Sequence, residues 1–176
     1  MSYPAANAVT VRRARTGDVP AVRSLLDAYV GDGILLDKAT VTLYESIQEF
    51  WVAERDSDAR VVGCGALHVM WEDLAEVRTL AVDPEFHGGG IGHLVLGKLL
   101  QTARRLGVRR VFCLTFEVAF FAKHGFTEIG ETPVDTVDTD VYSELLRSYD
   151  EGVAEFLGLE RVKPNTLGNT RMLLHL

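Results

Sequence analysis

"LAVDPEFHGGGIGHLVLGKLL", residues 80–100, carries an apolar strand-like run into four glycines within six positions and then into an apolar helix-like run. Pro84 ends the strand, because proline has no N–H to give a ladder. Gly88, Gly89 and Gly90 let the backbone approach a ligand without Cβ contacts. The first N–H groups of the helix lack intrahelical partners and, with the helix dipole, favour an anion at that point.

Three chemistries compete for this loop. Gly92 to Lys98, "GHLVLGK", matches GxxxxGK, but Leu99 stands where Ser or Thr would hold magnesium, and the residues between the glycines are helix-like. "HGGG" resembles an esterase oxyanion motif, yet the chain contains no GxSxG nucleophile elbow. A metal-free pyrophosphate site made of backbone N–H groups fits the strand–loop–helix context.

Outward from the loop, Val9 to Ala14 reads as a strand and Asp18 to Val30 as a helix with Val22, Leu25, Leu26 and Tyr29 on one face. Thr40 to Gln48 reads as a shorter helix. Phe50 to Glu54 and Arg60 to Met70 read as a hairpin, and Ala75 to Val82 as the next strand. The helix after the loop spans Gly90 to Leu106, with Ile91, Leu94, Val95, Leu99 and Ala103 on its apolar face. Arg110 to Thr115 is a strand, Val118 to His124 a short helix, and Phe126 to Ile129 extended. Val141 to Leu157 is helical with a break near Asp150 to Gly152, and Thr170 to His175 is the last strand. This order predicts a mixed α/β (α+β) fold: one mostly antiparallel twisted sheet flanked by helices. The expectation is a single domain over 1–176, with about residues 1–8 frayed.

The 176 residues carry a net charge of −7, are 47% hydrophobic, and contain no basic cluster, which argues against nucleic acid as a partner. No secretory leader or membrane span is apparent, so a cytoplasmic location is expected. Cys64 and Cys113 sit in apolar runs and read as buried thiols. His68, His93 and His124 lack ligand spacing, so no metal is expected.

"LAVDPEFHGGGIGHLVLGKLL" resembles the coenzyme A motif of the GNAT superfamily of N-acetyltransferases, Gln/Arg-x-x-Gly-x-Gly/Ala, with Gly90 and Gly92 on its glycine positions and His87 where Gln or Arg is usual. "FFAKHGF", residues 120–126, resembles the superfamily's segment after the fifth strand. "ATVTLYESIQEFWVAE", "VVGCGALHVMWEDLAEVRTLAVDP", "RRVFCLTFEVAFFAKHGF" and "VKPNTLGNTRML" are similar to short bacterial amino-acid N-acetyltransferases of the N-acetylglutamate synthase type. The resemblance implies acetyl-CoA as donor, the α-amine of glutamate or glutamine as acceptor, and the opening step of arginine biosynthesis. The arginine-rich stretch of longer synthases is replaced here by Leu35-Leu36-Asp37-Lys38-Ala39-Thr40, which leaves the acceptor open between the two. A homodimer is expected by analogy alone.

Acetyl transfer to an amine needs a base for the ammonium proton, a donor for the tetrahedral oxyanion, and departure of a thiolate. The resemblance places the base at Glu76, with Glu117 and Glu72 as rivals. It places the oxyanion donor among the backbone N–H groups of Leu80, Ala81 and Val82, where the superfamily's strand splays and takes the pantetheine on its edge. The coenzyme site then continues through His87, Gly88, Gly89 and Gly90 into Ile91, Gly92 and His93. Phe121 stands where the superfamily usually has an acidic tyrosine. A thiol with a pKa of roughly 8.5 leaves without full protonation, and Thr115 is a candidate to assist by hydrogen bonding. Arg78, Lys38, Lys163 and Arg171 are candidates for the acceptor's carboxylates, with Asn165 and Asn169 beside them. Arg78 shares a strand face with Glu76. Two other functions remain open: a GNAT enzyme for a protein N-terminus, polyamine or antibiotic, and a non-catalytic acyl-CoA-binding module.

Overall fold

The computed structural model describes residues 8–33, 37–130, 137–158 and 168–176. Their strands are β1 (Val9–Arg13), β2 (Phe50–Arg55), β3 (Val61–Trp71), β4 (Leu74–Val82), β5 (Arg110–Thr115), β6 (Thr127–Glu128) and β7 (Thr170–His175). Their helices are α1 (Val19–Val30), α2 (Thr40–Glu45), α3 (Ile91–Leu106), α4 (Val118–Ala122), α5 (Thr139–Leu145) and α6 (Glu151–Leu157). The strands form a seven-stranded sheet in the order β1-β2-β3-β4-β5-β7-β6. β1–β2, β2–β3, β5–β7 and β6–β7 are antiparallel, whereas β4–β5 is parallel. The expected mixed, mostly antiparallel sheet is therefore present.

The chain divides into two compact units. The first holds Met1–Leu67 and Val77–Thr102. Its core joins Val22, Leu25 and Leu26 of α1 and Leu43 of α2 to Phe50, Val52, Cys64, Ala66 and Ala81 of the sheet. The apolar face predicted for α1 is thus buried, with Tyr29 half-buried at its end. Arg12 of β1 ties this unit together. Its guanidinium donates to both oxygens of Asp18, at 2.8 and 2.9 Å, and to Glu54 of β2 at 2.7 Å. Asp18 also accepts the Arg15 N–H at 2.7 Å, so one carboxylate caps the turn entering α1 and pairs with the strand. These bonds hold the Asp18 carboxyl below its ordinary value, the Arg12 bond most strongly, against the opposing effect of burial.

Helix α3 has a seam displaced from the expected one. Ile91, Val95, Leu99 and Ala103 are buried as predicted, but Leu94 is 50% exposed while Leu96 and Leu100 are buried. At 100° per residue the buried stripe is centred close to Leu99, which leaves Leu94 roughly 150° away on the exposed face. The stripe meets β3 where that strand has no side chains. A Cβ on Gly65 would stand 2.9 Å from Leu80 and 3.0 Å from Leu99 and Val95, so β3 and α3 approach closely there.

The second unit holds His68–Glu76 and Ala103–Leu176. Leu74, Phe112 and Leu173 of its strands pack with Leu145, Val153, Phe156 and Leu157 of α5 and α6. Phe112 and Phe156 meet edge to face at 5.2 Å. The predicted break in the long helix is a boundary between two helices. Asp150 accepts the Val153 N–H at 3.1 Å, so it caps the start of α6 rather than continuing α5.

Candidate active site

β4 is irregular along its length. Its parallel ladder with β5 runs from Leu74↔Arg110 to Glu76↔Phe112. Three residues on, Thr79 has φ +59°. A β-branched residue in the left-handed region is a genuine outlier, and such strain collects at functional sites. The Thr79 hydroxyl is buried and lacks a hydrogen-bond partner, which ordinarily costs about 1–3 kcal/mol. The Thr79 carbonyl accepts the Cys64 thiol at 3.5 Å. The strand therefore breaks its regular geometry just before Leu80, Ala81 and Val82. Ala81 turns its methyl into the α1–α2 core, and the Val82 carbonyl accepts the Tyr29 hydroxyl.

After β4 the chain is pinned on one side and open on the other. The Asp83 N–H donates to Val62 O at 2.8 Å. Its side chain accepts the Glu85 N–H at 3.0 Å and pairs with Arg60 at 2.5 Å. Phe86 is buried beneath the guanidiniums of Arg55 and Arg60, at 5.1 and 5.7 Å. His87 to Gly90 then lie at the surface. Gly88 and Gly90 have φ +80° and +81°, and a Cβ at either would meet no protein atom within 4 Å. Glycine is required there by backbone conformation, while the space beside the backbone is open. The first α-helical bond of α3 runs from Leu94 N to Gly90 O at 3.2 Å, so the N–H groups of Ile91, Gly92 and His93 face out of the helix end. This loop is suited to an anion of diphosphate size without a metal. Among the described residues no His, Cys, Asp and Glu group of three or more could hold a metal ion.

The nucleotide-loop alternative has no geometry behind it. Gly92 to Lys98 lie within α3, and the Lys98 ammonium rests 5.7 Å from the centre of the Trp51 ring.

In the second unit Glu76 is 6% exposed on β4. Its charge raises the Cys113 thiol, which burial already pushes up. It also acts on Glu155 of α6. Burial raises the Glu155 carboxyl first, Arg171 pulls it back, and Glu76 and Glu151 push it up. Glu76, Glu155 and Arg171 thus form one electrostatic group. Thr115 is buried at the end of β5, where its hydroxyl oxygen accepts the Glu117 N–H at 2.8 Å. Its proton remains to be donated. Phe121 is 5% exposed and packs edge to face on Phe120 and Phe126 at 5.1 Å, so the position of the usual acidic tyrosine belongs to an aromatic cluster.

The acceptor candidates separate. Arg78 is half-buried on β4. Arg171 donates to Phe156 O at 2.6 Å and Gly130 O at 2.7 Å, and its guanidinium lies 5.8 Å from the Phe112 ring centre. That use ties α6 and the chain after β6 to β7. Lys38 is half-buried before α2, and its carbonyl accepts a bond from Arg23. Asn169 is half-buried immediately before β7. Lys163 and Asn165 lie outside the described residues. Glu72, the other carboxylate considered as base, is exposed in the turn between β3 and β4, and Glu117 is exposed before α4.

Sequence reasoning does not single out Tyr29, Thr79 or Glu155 as site residues. Tyr29 reads as part of an apolar helix face, Thr79 as an ordinary strand residue, and Glu155 as a polar position on a helix. None carries a local signal for the partner or backbone conformation that the fold imposes.

The sequence pattern of the acetyltransferase (GNAT) family matches residues 22–126, which makes the chain an acyltransferase with acetyl-CoA as its donor. An amino-acid acetyltransferase of Mycobacterium tuberculosis is 63% identical over 165 residues, covering 93% of this chain and 92% of that relative. An amino-acid acetyltransferase of Neisseria meningitidis is 34% identical over 125 residues, which span 70% of this chain and 28% of that longer protein. The crystal structure of Rv2747 from Mycobacterium tuberculosis in complex with CoA and NLQ superposes with a TM-score of 0.88 at 62% identity, covering 95% of this chain and 99% of that one. N-acetylglutamate synthase from Neisseria gonorrhoeae, complexed with coenzyme A and N-acetyl-glutamate, superposes at 0.73 with 27% identity, covering 96% of this chain and 35% of that one. The chain belongs to the GNAT family of acetyltransferases.

Proposed function

We propose that this amino-acid acetyltransferase transfers an acetyl group from acetyl-CoA to the α-amine of L-glutamate or L-glutamine, the opening step of arginine biosynthesis. The observation that carries the acceptor is the likeness, at 62% identity over 95% of the chain, to a protein crystallised with CoA and NLQ. The likeness in fold to a synthase holding N-acetyl-glutamate points the same way.

In this reading the amine attacks the thioester carbonyl, and the thiolate leaves. The glycine turn from His87 to Gly90 and the N–H groups of Ile91, Gly92 and His93 hold the pyrophosphate. The strained segment after Thr79 offers the N–H groups of Leu80 to Val82 to the pantetheine and the oxyanion. Glu76 takes the amine's proton, directly or through a water. The Thr115 hydroxyl donates to the departing sulfur. Arg78 and Lys38 receive the acceptor's carboxylate, while Arg171 serves by holding β7 to α6.

The test is an acceptor screen. Each amino acid is supplied separately with acetyl-CoA, and free thiol release is measured. Rates above hydrolysis are expected with glutamate or glutamine. Background rates with both, or a faster reaction with a polyamine or a peptide N-terminus, would remove the proposed acceptor.

A further inference from the structure

We propose that Tyr29 is a positioning residue of the coenzyme site: its hydroxyl tethers the end of β4 and the His87 ring, so that the glycine turn stands preorganised for the pyrophosphate. The inference rests on the reading of that turn as the coenzyme's phosphate site. Tyr29 ends the buried face of α1, 53 residues before Val82 and 58 before His87. Its hydroxyl bonds the Val82 carbonyl and lies 2.6 Å from His87 Nε2. The two rings stack at 6.2 Å with planes 16° apart.

Proton counting fixes the direction of both bonds. A carbonyl has no proton to give, so the single phenolic proton goes to Val82 O. The His87 contact is then an Nε2–H donating to the phenolic oxygen. The imidazole is held in one orientation, with Nδ1 on its other side.

The tether matters because of the glycines next to it. Gly88 and Gly90 have positive φ and no protein atom near their missing Cβ positions. Glycines in open space have the most conformations to lose on binding. The segment before them is already anchored by Asp83 and Phe86. His87 is the exposed link between that anchored segment and the free glycines, so holding its ring removes freedom that coenzyme binding would otherwise have to remove.

The test is Tyr29→Phe, which keeps the stacked ring and removes the hydroxyl. The dissociation constant for CoA, by calorimetry, and KM for acetyl-CoA are expected to rise about 3- to 10-fold, the weight of one such hydrogen bond. The kcat at saturating acetyl-CoA should stay near wild type. In the double variant Tyr29→Phe/His87→Ala the loss should be smaller than the product of the single losses, since both act on one turn. Unchanged CoA affinity in Tyr29→Phe, or strictly multiplicative losses, would overturn the tether. Gly90→Val separates this from failure of the underlying reading. Binding lost in Gly90→Val but intact in Tyr29→Phe rejects the tether alone, whereas binding intact in both rejects the turn as the coenzyme site. Should Tyr29→Phe fail to fold, a crystal structure of the wild-type protein with CoA decides. The Tyr29 hydroxyl within hydrogen-bond distance of Val82 O and His87 Nε2 supports the proposal, and its separation from both overturns it.

Discussion

Thr79 and Glu76 show two ways in which a single residue departs from its local preference. Thr79 keeps a left-handed backbone and an unpartnered buried hydroxyl. Thr79→Val preserves the β-branched shape and removes the hydroxyl, and should raise folding stability by about 1 kcal/mol in urea denaturation. No gain would mean that the hydroxyl is satisfied in solution. Glu76 is a carboxylate inside a sheet, 6% exposed and opposite Phe112. Glu76→Gln should lower kcat/KM by about 10²- to 10⁴-fold, the usual contribution of a general base. CoA affinity should be retained, as calorimetry would show. Undiminished turnover would remove Glu76 as the base.

At the scale of elements, the charges around Arg12 join β1, β2 and the start of α1, and their effect depends on pH. The Asp18 carboxyl is depressed in the folded state. Its contribution is therefore complete above the unfolded value of about 3.9 and is lost as pH falls through the lower folded value. Asp18→Asn should be less stable than wild type at pH 7 by about 1.5–3 kcal/mol, the range for a bond to a charged group. The gap should narrow in urea titrations carried below pH 4. A gap that is constant across pH would show that the ionised form of the carboxylate is not what stabilises this corner. The loop before α3 has its own expectation. Gly90→Val forces a β-branched side chain to φ +81°, which costs about 1–3 kcal/mol if the turn is kept. The turn is expected to change shape instead, with loss of CoA binding by calorimetry.

For the molecule as a whole, the two thiols report on packing in each unit. Cys64 is fully buried, and burial pushes its thiol up to about 12. Cys113 is likewise raised, by burial and then by Glu76. The thiolate is the reactive form, so a disulfide reagent at pH 8 should leave both unmodified in the native protein and titrate two thiols in denaturant. Fast native reaction would mean that one of the units opens readily.

Periodicity and local chemistry make much of the fold legible in the chain. The spacing of Val22, Leu25 and Leu26, the apolar runs around Cys64 and Cys113, and the glycines bounded by Pro84 and an amphipathic helix are all short-range patterns. Each element arises from the residues within it, so the mixed sheet with its helices and the glycine turn can be read from sequence. Asp150 is legible as the region of a break, though not as the cap that makes it. Leu94 departs from expectation because a period of 3.6 residues defines a stripe but not which edge the sheet covers. Tyr29 against His87, the left-handed Thr79, and the group of Glu76, Glu155 and Arg171 are decided only by tertiary structure. Each depends on contacts between residues far apart in the chain, or on strain that the surrounding packing imposes, and neither leaves a trace in local sequence.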